Sequence, residues 1–297
     1  MTNEQLIEKM KEDMKMRNFS KNTYDSYLGK AKDIMRYYGK KPLEEVTTDE
    51  LRKFLLKYLK DERKLSDSSI NNYNSVIRFI YEVTLDKLLN KRQLPMRKKK
   101  KTVYKVLTKE ELSAFFNVCD NFKFKTIFML VYGSGLRIGE VANLREEDID
   151  SKNMRIFVRG GKGNKERYTI LPKQSLEMLR EYWRKYRQHK RKGRIFLSEL
   201  GEPITVGVIR THFRKYRKKA KINENATVHT LRHNFATDLI ERGATLIQVK
   251  ELMGHSNIRS TMAYIHVANV KIDLESPLDE FLKGEGKGDG KNTRNIK

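Results

Sequence analysis

The segment VHTLRH, residues 228–233, carries side chains that could bind a metal ion or an anion. Its two imidazoles, His229 and His233, lie beside the guanidinium of Arg232 in a chain that has only six histidines. On a helix, residues three or four apart share one face. The spacing is therefore compatible with a metal site, a packed helix, or a clamp for a negatively charged group.

The neighbouring residues argue against a metal site. The zinc metalloprotease pattern needs Glu directly after the first His, and position 230 is Thr. Arg232 would also repel a metal cation on that face. His229 and Arg232 are one helical turn apart and can both donate hydrogen bonds to a single anion. We interpret His233 as a helix-packing residue and predict no metal.

Two other segments carry polar residues at helix boundaries. In TLIQVKELMGHSNIRSTMAYIHV, the pattern predicts a helix ending at Gly254 and a turn bearing His255. A new helix, capped by Ser256 or Asn257, is then expected to carry Tyr264. In YGSGLRIGEVANL, Arg137 follows a glycine-rich break, and Glu140 comes one turn later on the predicted helix.

The clearest β signal is MRIFVRGGKGNKERYTILP, in which two short β-rich runs flank a Gly-Lys-Gly-Asn turn. This pattern predicts a hairpin with Lys162 at its tip. Elsewhere the apolar residues recur at helical spacing. We therefore expect a mainly α protein with a small β-hairpin.

The charge indicates a polyanionic partner, because 63 Lys and Arg against 38 Asp and Glu give a net charge of +25. No run approaches the ~20 apolar residues of a membrane-spanning helix, and the N-terminus lacks a signal-peptide core. We therefore expect a cytoplasmic nucleic-acid-binding protein that does not bind membranes. The single cysteine, Cys119, excludes an internal disulfide and lies in an apolar helical pattern.

The periodicity divides the chain into two domains. Residues 1–92 are predicted to form four short helices, which begin near Asn3, after Ser20, after the Thr47-Thr48-Asp49 segment, and after Ser66 or Asp67. A second domain, residues 104–275, begins with a capping box at Thr108 and Glu111. The Gly- and Lys-rich tail, residues 276–297, is expected to be flexible.

Residues 93–103 form a basic interdomain segment in which Pro95 prevents a continuing helix. Five consecutive cations follow: Arg97, Lys98, Lys99, Lys100 and Lys101. Such a run is usually a solvated tail. Because this one lies between two folded regions, we expect it to contact a phosphate backbone.

Taken together, these segments resemble the tyrosine recombinases of the phage integrase family, and most of all the Xer-type members. The resemblance covers most of residues 1–270 and rests on four segments in the correct order: the helical N-terminal region, GSGLRIGEVANL, GGKGNKERYTILP and VHTLRHNFATDLIERGATLIQVKELMGHSNIRSTMAYIHV. It implies a helical, SAM-like core-binding domain followed by a mixed α/β catalytic domain. The catalytic residues that it implies are Arg137, Lys162, His229, Arg232, His255 and Tyr264, with Glu140 in support.

The chemistry implied by the resemblance suits these residue types. A phenol with a pKa near ~10 is a poor nucleophile unless its proton is removed or its transition state is stabilised, and two fixed guanidiniums can stabilise that state. Attack by Tyr264 would leave a 3′-phosphotyrosyl link, and Lys162 could protonate the departing 5′ oxygen. Because one phosphodiester replaces another, the reaction needs no nucleotide triphosphate. No metal or other cofactor is implied either, since Arg137, Arg232 and the imidazoles would supply the charge that Mg²⁺ supplies elsewhere.

The implied partner is double-stranded DNA, with a homotetramer acting on two DNA sites. An integron-type or other mobile-element integrase fits the same segments. A telomere resolvase or a type IB topoisomerase-like enzyme would use the same chemistry but fits the compact Xer-type layout less well. A DNA-binding regulator with a dead active site would lack one or more catalytic groups, and all six are present.

Overall fold

The computed structural model describes residues 1–98, 106–160, 166–186, 193–265 and 267–268. The contacts within the chain divide it into two compact units, Met1–Lys101 and Thr102–Lys297. No helix among the described residues is long and apolar enough to cross a membrane.

The first unit is built from helices whose starts carry the predicted caps. The side chain of Ser20 accepts a hydrogen bond from the backbone of Thr23, and Thr47 forms a capping box with Glu50. Ser66 caps the fourth helix through Ser69. The helices are α1 (Asn3–Met16), α2 (Lys21–Tyr38), α3 (Thr48–Lys53) with a π-helical continuation (Phe54–Glu62), and α4 (Asp67–Arg78) with a similar continuation (Phe79–Thr84). Their apolar faces meet in one core.

The segment predicted as the start of the linker packs on α4. The side-chain amide of Asn71 donates to the carbonyl of Arg97 at 3.0 Å and accepts from the Arg97 amide at 2.8 Å. Asn74 and Arg78 donate to the carbonyl of Leu94, and Nε of Arg97 pairs with Asp67 at 2.6 Å. Residues 94–97 are therefore held against the first unit, and the Arg97 side chain already has a carboxylate partner.

The second unit is a mainly helical domain that contains a three-stranded antiparallel sheet. Its described helices are α5 (Lys109–Asn117), α6 (Phe122–Ser134), α7 (Ile138–Asn143), α8 (Lys173–Tyr186), α9 (Val206–Lys219), α10 (Val228–Glu241), α11 (Leu246–Met253) and α12 (Arg259–Met262). Its strands are β1 (Ile149–Asp150), β2 (Arg155–Val158) and β3 (Arg167–Ile170), in the order β1-β2-β3. The apolar helix α6 lies in the centre, packed against α8 and α10.

The predicted hairpin is present, since β2 pairs with β3 and Val158 lies opposite Arg167. Strand β1, which is only two residues long, was not predicted from the sequence. The prediction that Tyr264 lies on a helix was wrong: α12 ends at Met262, and Tyr264 follows in a turn. Asn257 does act near the start of α12, where its side chain accepts from the backbone of Arg259 at 2.9 Å.

Candidate active site

Arg137 lies at the start of α7, directly after the glycine-rich break. Its backbone N–H donates to Glu140 at 2.8 Å, and its Nη1 reaches the same carboxylate at 2.7 Å. Its Nη2 donates to the carbonyl of Gly254 at 2.9 Å. With 28% of its side chain exposed, Arg137 is oriented by the protein and is still accessible to a ligand.

Arg232 is on α10 and is almost fully buried, with 4% of the residue exposed. It donates through Nη1 to the carbonyl of Gly135 and through Nη2 to that of Met253. Burial lowers the pKa of Arg232 to about 9, an effect that the charge of Arg137 increases and that of Glu140 opposes. Arg232 therefore keeps its positive charge at neutral pH.

The glycine at position 135 is required for this arrangement. Its φ is +62°, and a Cβ there would lie 2.3 Å from the ring of Phe235. Only glycine adopts this conformation without strain and leaves room for the ring. The glycine-rich segment that precedes Arg137 therefore also orients Arg232, whose Nη1 donates to the carbonyl of Gly135.

Glu140 lies between the two arginines and is paired with a third. Arg167 on β3 donates to both oxygens of Glu140, at 3.0 and 2.8 Å, and both side chains are 8% exposed. Burial alone would raise the pKa of Glu140, but the hydrogen bonds and charge of Arg167, together with the bonds from Arg137, lower it to about 2. Glu140 is therefore a buried carboxylate at neutral pH.

Arg167 was not identified from the sequence. Its partner Glu140 is 27 residues away, and hydrophobic periodicity gives no information about such a pair. Arg232 approaches the same carboxylate, with 3.8 Å between its Nη1 and Oε2 of Glu140.

His255 contacts Arg232 through Nε2, at 3.5 Å from Nη2 of Arg232. Its Nδ1 is 3.0 Å from the hydroxyl of Thr261. Burial and the nearby charge of Arg232 lower the pKa of His255 to about 4, so the ring is neutral at pH 7. A guanidinium can only donate, so Nε2 is the acceptor and Nδ1 carries the proton.

His229 is exposed on the first turn of α10. Its surroundings lower its pKa, first through loss of hydration and then through the positive charges of Arg232, Arg210 and Arg137. The imidazole of His229 is therefore neutral at pH 7, and its place in an anion clamp with Arg232 stays a prediction.

Tyr264 is only 3% exposed, and its ring packs in a small core with Phe235, Val249 and Met253. Its hydroxyl lies 2.9 Å from Nδ1 of His233. The interpretation of His233 as a packing residue was therefore incomplete, since its ring also bonds to the phenol. Burial lowers the pKa of His233 to about 4, with smaller effects from His229 and Arg232.

A cavity of about 310 Å³ opens beside His229. It is lined by Arg210, Arg214 and Arg217 of α9, which lie on one face because they are four and three residues apart. Arg217 donates to the carbonyl of Ala226, whereas Arg210 and Arg214 are exposed, with no ion pair to any carboxylate of the described residues. The sequence analysis did not identify this site, although the i, i+4, i+7 spacing of the three arginines could have revealed it.

Several predicted functional residues lie outside the described residues, namely Lys162 at the hairpin tip and Lys99, Lys100 and Lys101 of the basic run. Lys98 is exposed at the end of a described segment. In the part of the chain that the structure describes, no group of three His, Cys, Asp or Glu side chains is placed to hold a metal ion.

A helical domain followed by a domain in which buried arginines, neutral imidazoles and a tyrosine converge is the arrangement of a tyrosine recombinase, a site-specific DNA recombinase. The chain belongs to the phage integrase family: that family matches residues 105–270, and the phage integrase N-terminal SAM-like domain matches residues 6–91. The resemblance and the fold class predicted from the sequence are confirmed.

Named relatives agree with this assignment. The chain is 34% identical over 279 residues to the putative integrase/recombinase y4qK of Sinorhizobium fredii, covering 93% of this chain and 89% of that protein. It is 35% identical over 260 residues to tyrosine recombinase XerA of Pyrococcus horikoshii, covering 82% of this chain and 87% of that protein. These relatives support the expected similarity to Xer-type recombinases.

Among solved structures, the fold is similar to a lambda integrase dimer bound to a COC′ core site, with a TM-score of 0.72 and 20% identity over 93% of this chain and all of that chain. It is also similar to the Tn1549 transposon integrase in complex with transposon right end DNA, with a TM-score of 0.70 and 20% identity over 96% of this chain and 99% of that one. At this identity the likeness concerns the fold.

Proposed function

We propose that this protein cleaves and rejoins duplex DNA at specific sites through a 3′-phosphotyrosyl intermediate formed by Tyr264. The observation that carries the proposal is that these groups are neighbours: Arg137 and Arg232 both approach Glu140, Arg232 touches His255, and the ring of His255 lies nearly parallel to that of Tyr264, with centroids 6.2 Å apart. The two guanidiniums and the phenol are therefore close enough in the fold to support a common role around one phosphodiester.

In this proposal Arg137, Arg232 and His229 bind the scissile phosphate. Guanidinium groups suit this role because they remain charged and donate several hydrogen bonds in fixed directions. Carbonyl groups of the protein already orient both arginines, so little reorganisation is needed as charge develops on the phosphate. Glu140 supports the clamp by orienting Arg137.

The phenol of Tyr264 loses its proton to water, and the bond from its oxygen to phosphorus forms as the bond from phosphorus to the 5′ oxygen breaks. Lys162 protonates the departing 5′ oxygen, and Nδ1 of His233 lies within hydrogen-bonding distance of the phenol oxygen. Reversal with a different 5′ hydroxyl joins a new strand. Bond energy is kept in the phosphotyrosine, so the step needs no ATP, and the two arginines supply the charge stabilisation without a metal ion.

The proposed partner is double-stranded DNA, with a homotetramer acting on two sites in the cytoplasm. The DNA complexes of lambda integrase and Tn1549 integrase support the choice of DNA. The net charge of +25 supports it independently.

We propose that Lys98 to Lys101 contact backbone phosphates. Arg97 would do so through its terminal guanidinium nitrogens, because its Nε binds Asp67. We propose two domains, residues 1–92 and 104–275, joined by residues 93–103.

The deciding experiment uses Tyr264→Phe and a nicked suicide substrate that traps the covalent complex. The substitution keeps the ring and removes only the hydroxyl, so we expect near-normal DNA binding and no phosphotyrosyl complex. Tyr186→Phe, which alters an exposed tyrosine on α8, is the matched control and should react like the unsubstituted protein. Continued cleavage by Tyr264→Phe, or a phosphotyrosyl peptide mapped to Tyr186 or Tyr216, would overturn the assignment.

The reaction products then separate the related activities. Two duplexes carrying the same site should give recombinant joints. Hairpin ends would instead identify a telomere resolvase, and relaxation of supercoils without recombinants would identify a topoisomerase-like enzyme.

A further inference from the structure

We propose that Arg167 is a positioning residue that neutralises Glu140 and thereby leaves Arg137 and Arg232 free to act on the scissile phosphate. This inference rests on the proposed function, because it concerns how the same phosphate clamp is kept in working order. Arg167 lies five residues after Lys162 in the sequence, and nothing in its sequence position identifies this role.

The geometry makes Arg167 the principal partner of Glu140. Its two terminal nitrogens meet the two carboxylate oxygens at 3.0 and 2.8 Å, and its Nε donates to the carbonyl of Leu252 at 2.8 Å. Gly254 closes the site from one side, since a Cβ there would lie 2.8 Å from Cδ of Arg167. The guanidinium is therefore held in one orientation and has little access to solvent.

Two other cations compete for the same carboxylate. Arg137 already donates to Oε1 of Glu140 at 2.7 Å, and Nη1 of Arg232 is 3.8 Å from Oε2. A buried carboxylate without its main partner is costly, so without Arg167 it would draw these two arginines closer. Donors that are proposed to bind the phosphate would then turn toward Glu140.

The charge of the cluster leads to the same conclusion. Three guanidiniums against one carboxylate leave a net charge of +2 on Arg137, Arg167, Arg232 and Glu140. A phosphodiester carries one negative charge, whereas the five-coordinate state formed by phenolate attack carries roughly two. Without Arg167 the cluster would match the ground state instead. The loss should therefore appear in the rate of cleavage rather than in DNA affinity.

The experiment compares Arg167→Met with the double variant Glu140→Gln and Arg167→Met. Arg167→Met removes the charge, whereas the double variant also removes the carboxylate and restores a net charge of +2. The readouts are the single-turnover rate of covalent complex formation on a nicked substrate and the affinity for the uncleaved duplex. Arg155→Met is the control, because Arg155 pairs with Asp150 on the same sheet but lies outside the cluster.

We expect Arg167→Met to slow covalent complex formation by about 100-fold, with DNA affinity changed by less than about threefold. The double variant should regain at least about tenfold, because no buried carboxylate remains to compete for Arg137 and Arg232. Arg155→Met should react at the unsubstituted rate.

The proposal is overturned if Arg167→Met cleaves at the unsubstituted rate, or if the double variant folds, binds DNA and is no faster than the single variant. If Arg167→Met does not fold, the double variant is compared directly with the unsubstituted protein, and a deficit greater than about tenfold counts against the proposal. A failure of the unsubstituted protein to form any phosphotyrosyl complex would contradict the proposed function instead.

Discussion

The phenol oxygen of Tyr264 lies 2.9 Å from Nδ1 of His233, although the two residues are 31 positions apart in the sequence. This bond ties the turn after α12 to the middle of α10, the helix that also carries His229 and Arg232. A buried hydroxyl normally keeps a hydrogen-bonding partner. The proposed nucleophile is therefore positioned by the helix that carries part of the proposed phosphate clamp.

We predict that His233→Ala lowers the rate of covalent complex formation by at least about tenfold, because the phenol loses its partner and a misplaced nucleophile reacts slowly. His233→Asn should retain most of the rate, since its amide can occupy the position of Nδ1, whereas His233→Gln places its amide near Nε2. Single-turnover assays on a nicked substrate would measure this order, with duplex binding as the control. Equal rates for the Ala and Asn variants would contradict it.

Local sequence patterns predicted the features that depend on local geometry. The caps at Ser20 and Thr108 and the pairing of β2 with β3 all appear where the sequence indicates, and α3 begins within the predicted Thr47-Thr48-Asp49 segment. The one-turn spacing of Arg137 and Glu140 likewise produces a direct ion pair. In each case the interacting groups are close in the chain, so propensity and periodicity suffice.

The features that were missed depend on tertiary contacts. The partner of Arg167 lies 27 residues away and that of His233 31 residues away. Asn71 and Asn74 are buried because they bind the backbone of residues 94–97, which helical periodicity does not reveal. Tyr264 lies in a turn because α12 is only four residues long, a boundary that the apolar pattern did not indicate.

Stability should depend on pH through the buried imidazoles. The pKa values of His233 and His255 are lowered to about 4, chiefly by burial. Between pH ~6.5, the usual histidine value, and about 4, the unfolded chain binds more protons than the folded chain. These two histidines should therefore leave the free energy of unfolding undiminished above pH ~6.5 and should lower it as the pH falls toward 4.

Thermal unfolding measured from pH 7.5 to 4.5 would test this expectation. Replacing His233 and His255 together with Asn should flatten the decline in this window, because each change removes one titrating group. Glu140 and Asp120 have pKa values lowered to about 2. Their contribution to stability is lost only below about pH 4.5, so they do not account for a decline between pH 7.5 and 4.5. An unchanged slope in the double His variant would show that other groups control the decline.

DNA binding should fall steeply with salt, with a log–log slope of about −0.9 per phosphate neutralised. We predict that Arg210→Ala and Arg214→Ala each make this slope shallower by about 0.9, because both guanidiniums face the cavity beside His229. Lys218→Ala, an exposed change on the same helix outside that cavity, is the control. Titrations at several salt concentrations would measure the slopes. Equal slopes for all three variants would contradict the prediction that Arg210 and Arg214 each neutralise a DNA phosphate.

The basic run makes a separate prediction. Neutralising Lys98 to Lys101 should weaken binding to all DNA sequences alike, because phosphate contacts carry little sequence information. Competition between specific and nonspecific duplexes would measure this effect. A change in sequence preference with unaltered nonspecific affinity would mean that the run reads bases instead.

The last prediction concerns Lys162, the proposed proton donor to the leaving 5′ oxygen. Lys162→Ala should slow cleavage of an ordinary strand, because the 5′ alkoxide is a poor leaving group without a proton. A substrate in which sulfur replaces the bridging 5′ oxygen should largely restore the rate, since a thiolate leaves without protonation. Tyr264→Phe should not be rescued, because it lacks the nucleophile itself. Lys165→Ala, three residues further along the chain, is the matched control, and if it alone were rescued by sulfur, the proton donor would be Lys165 rather than Lys162.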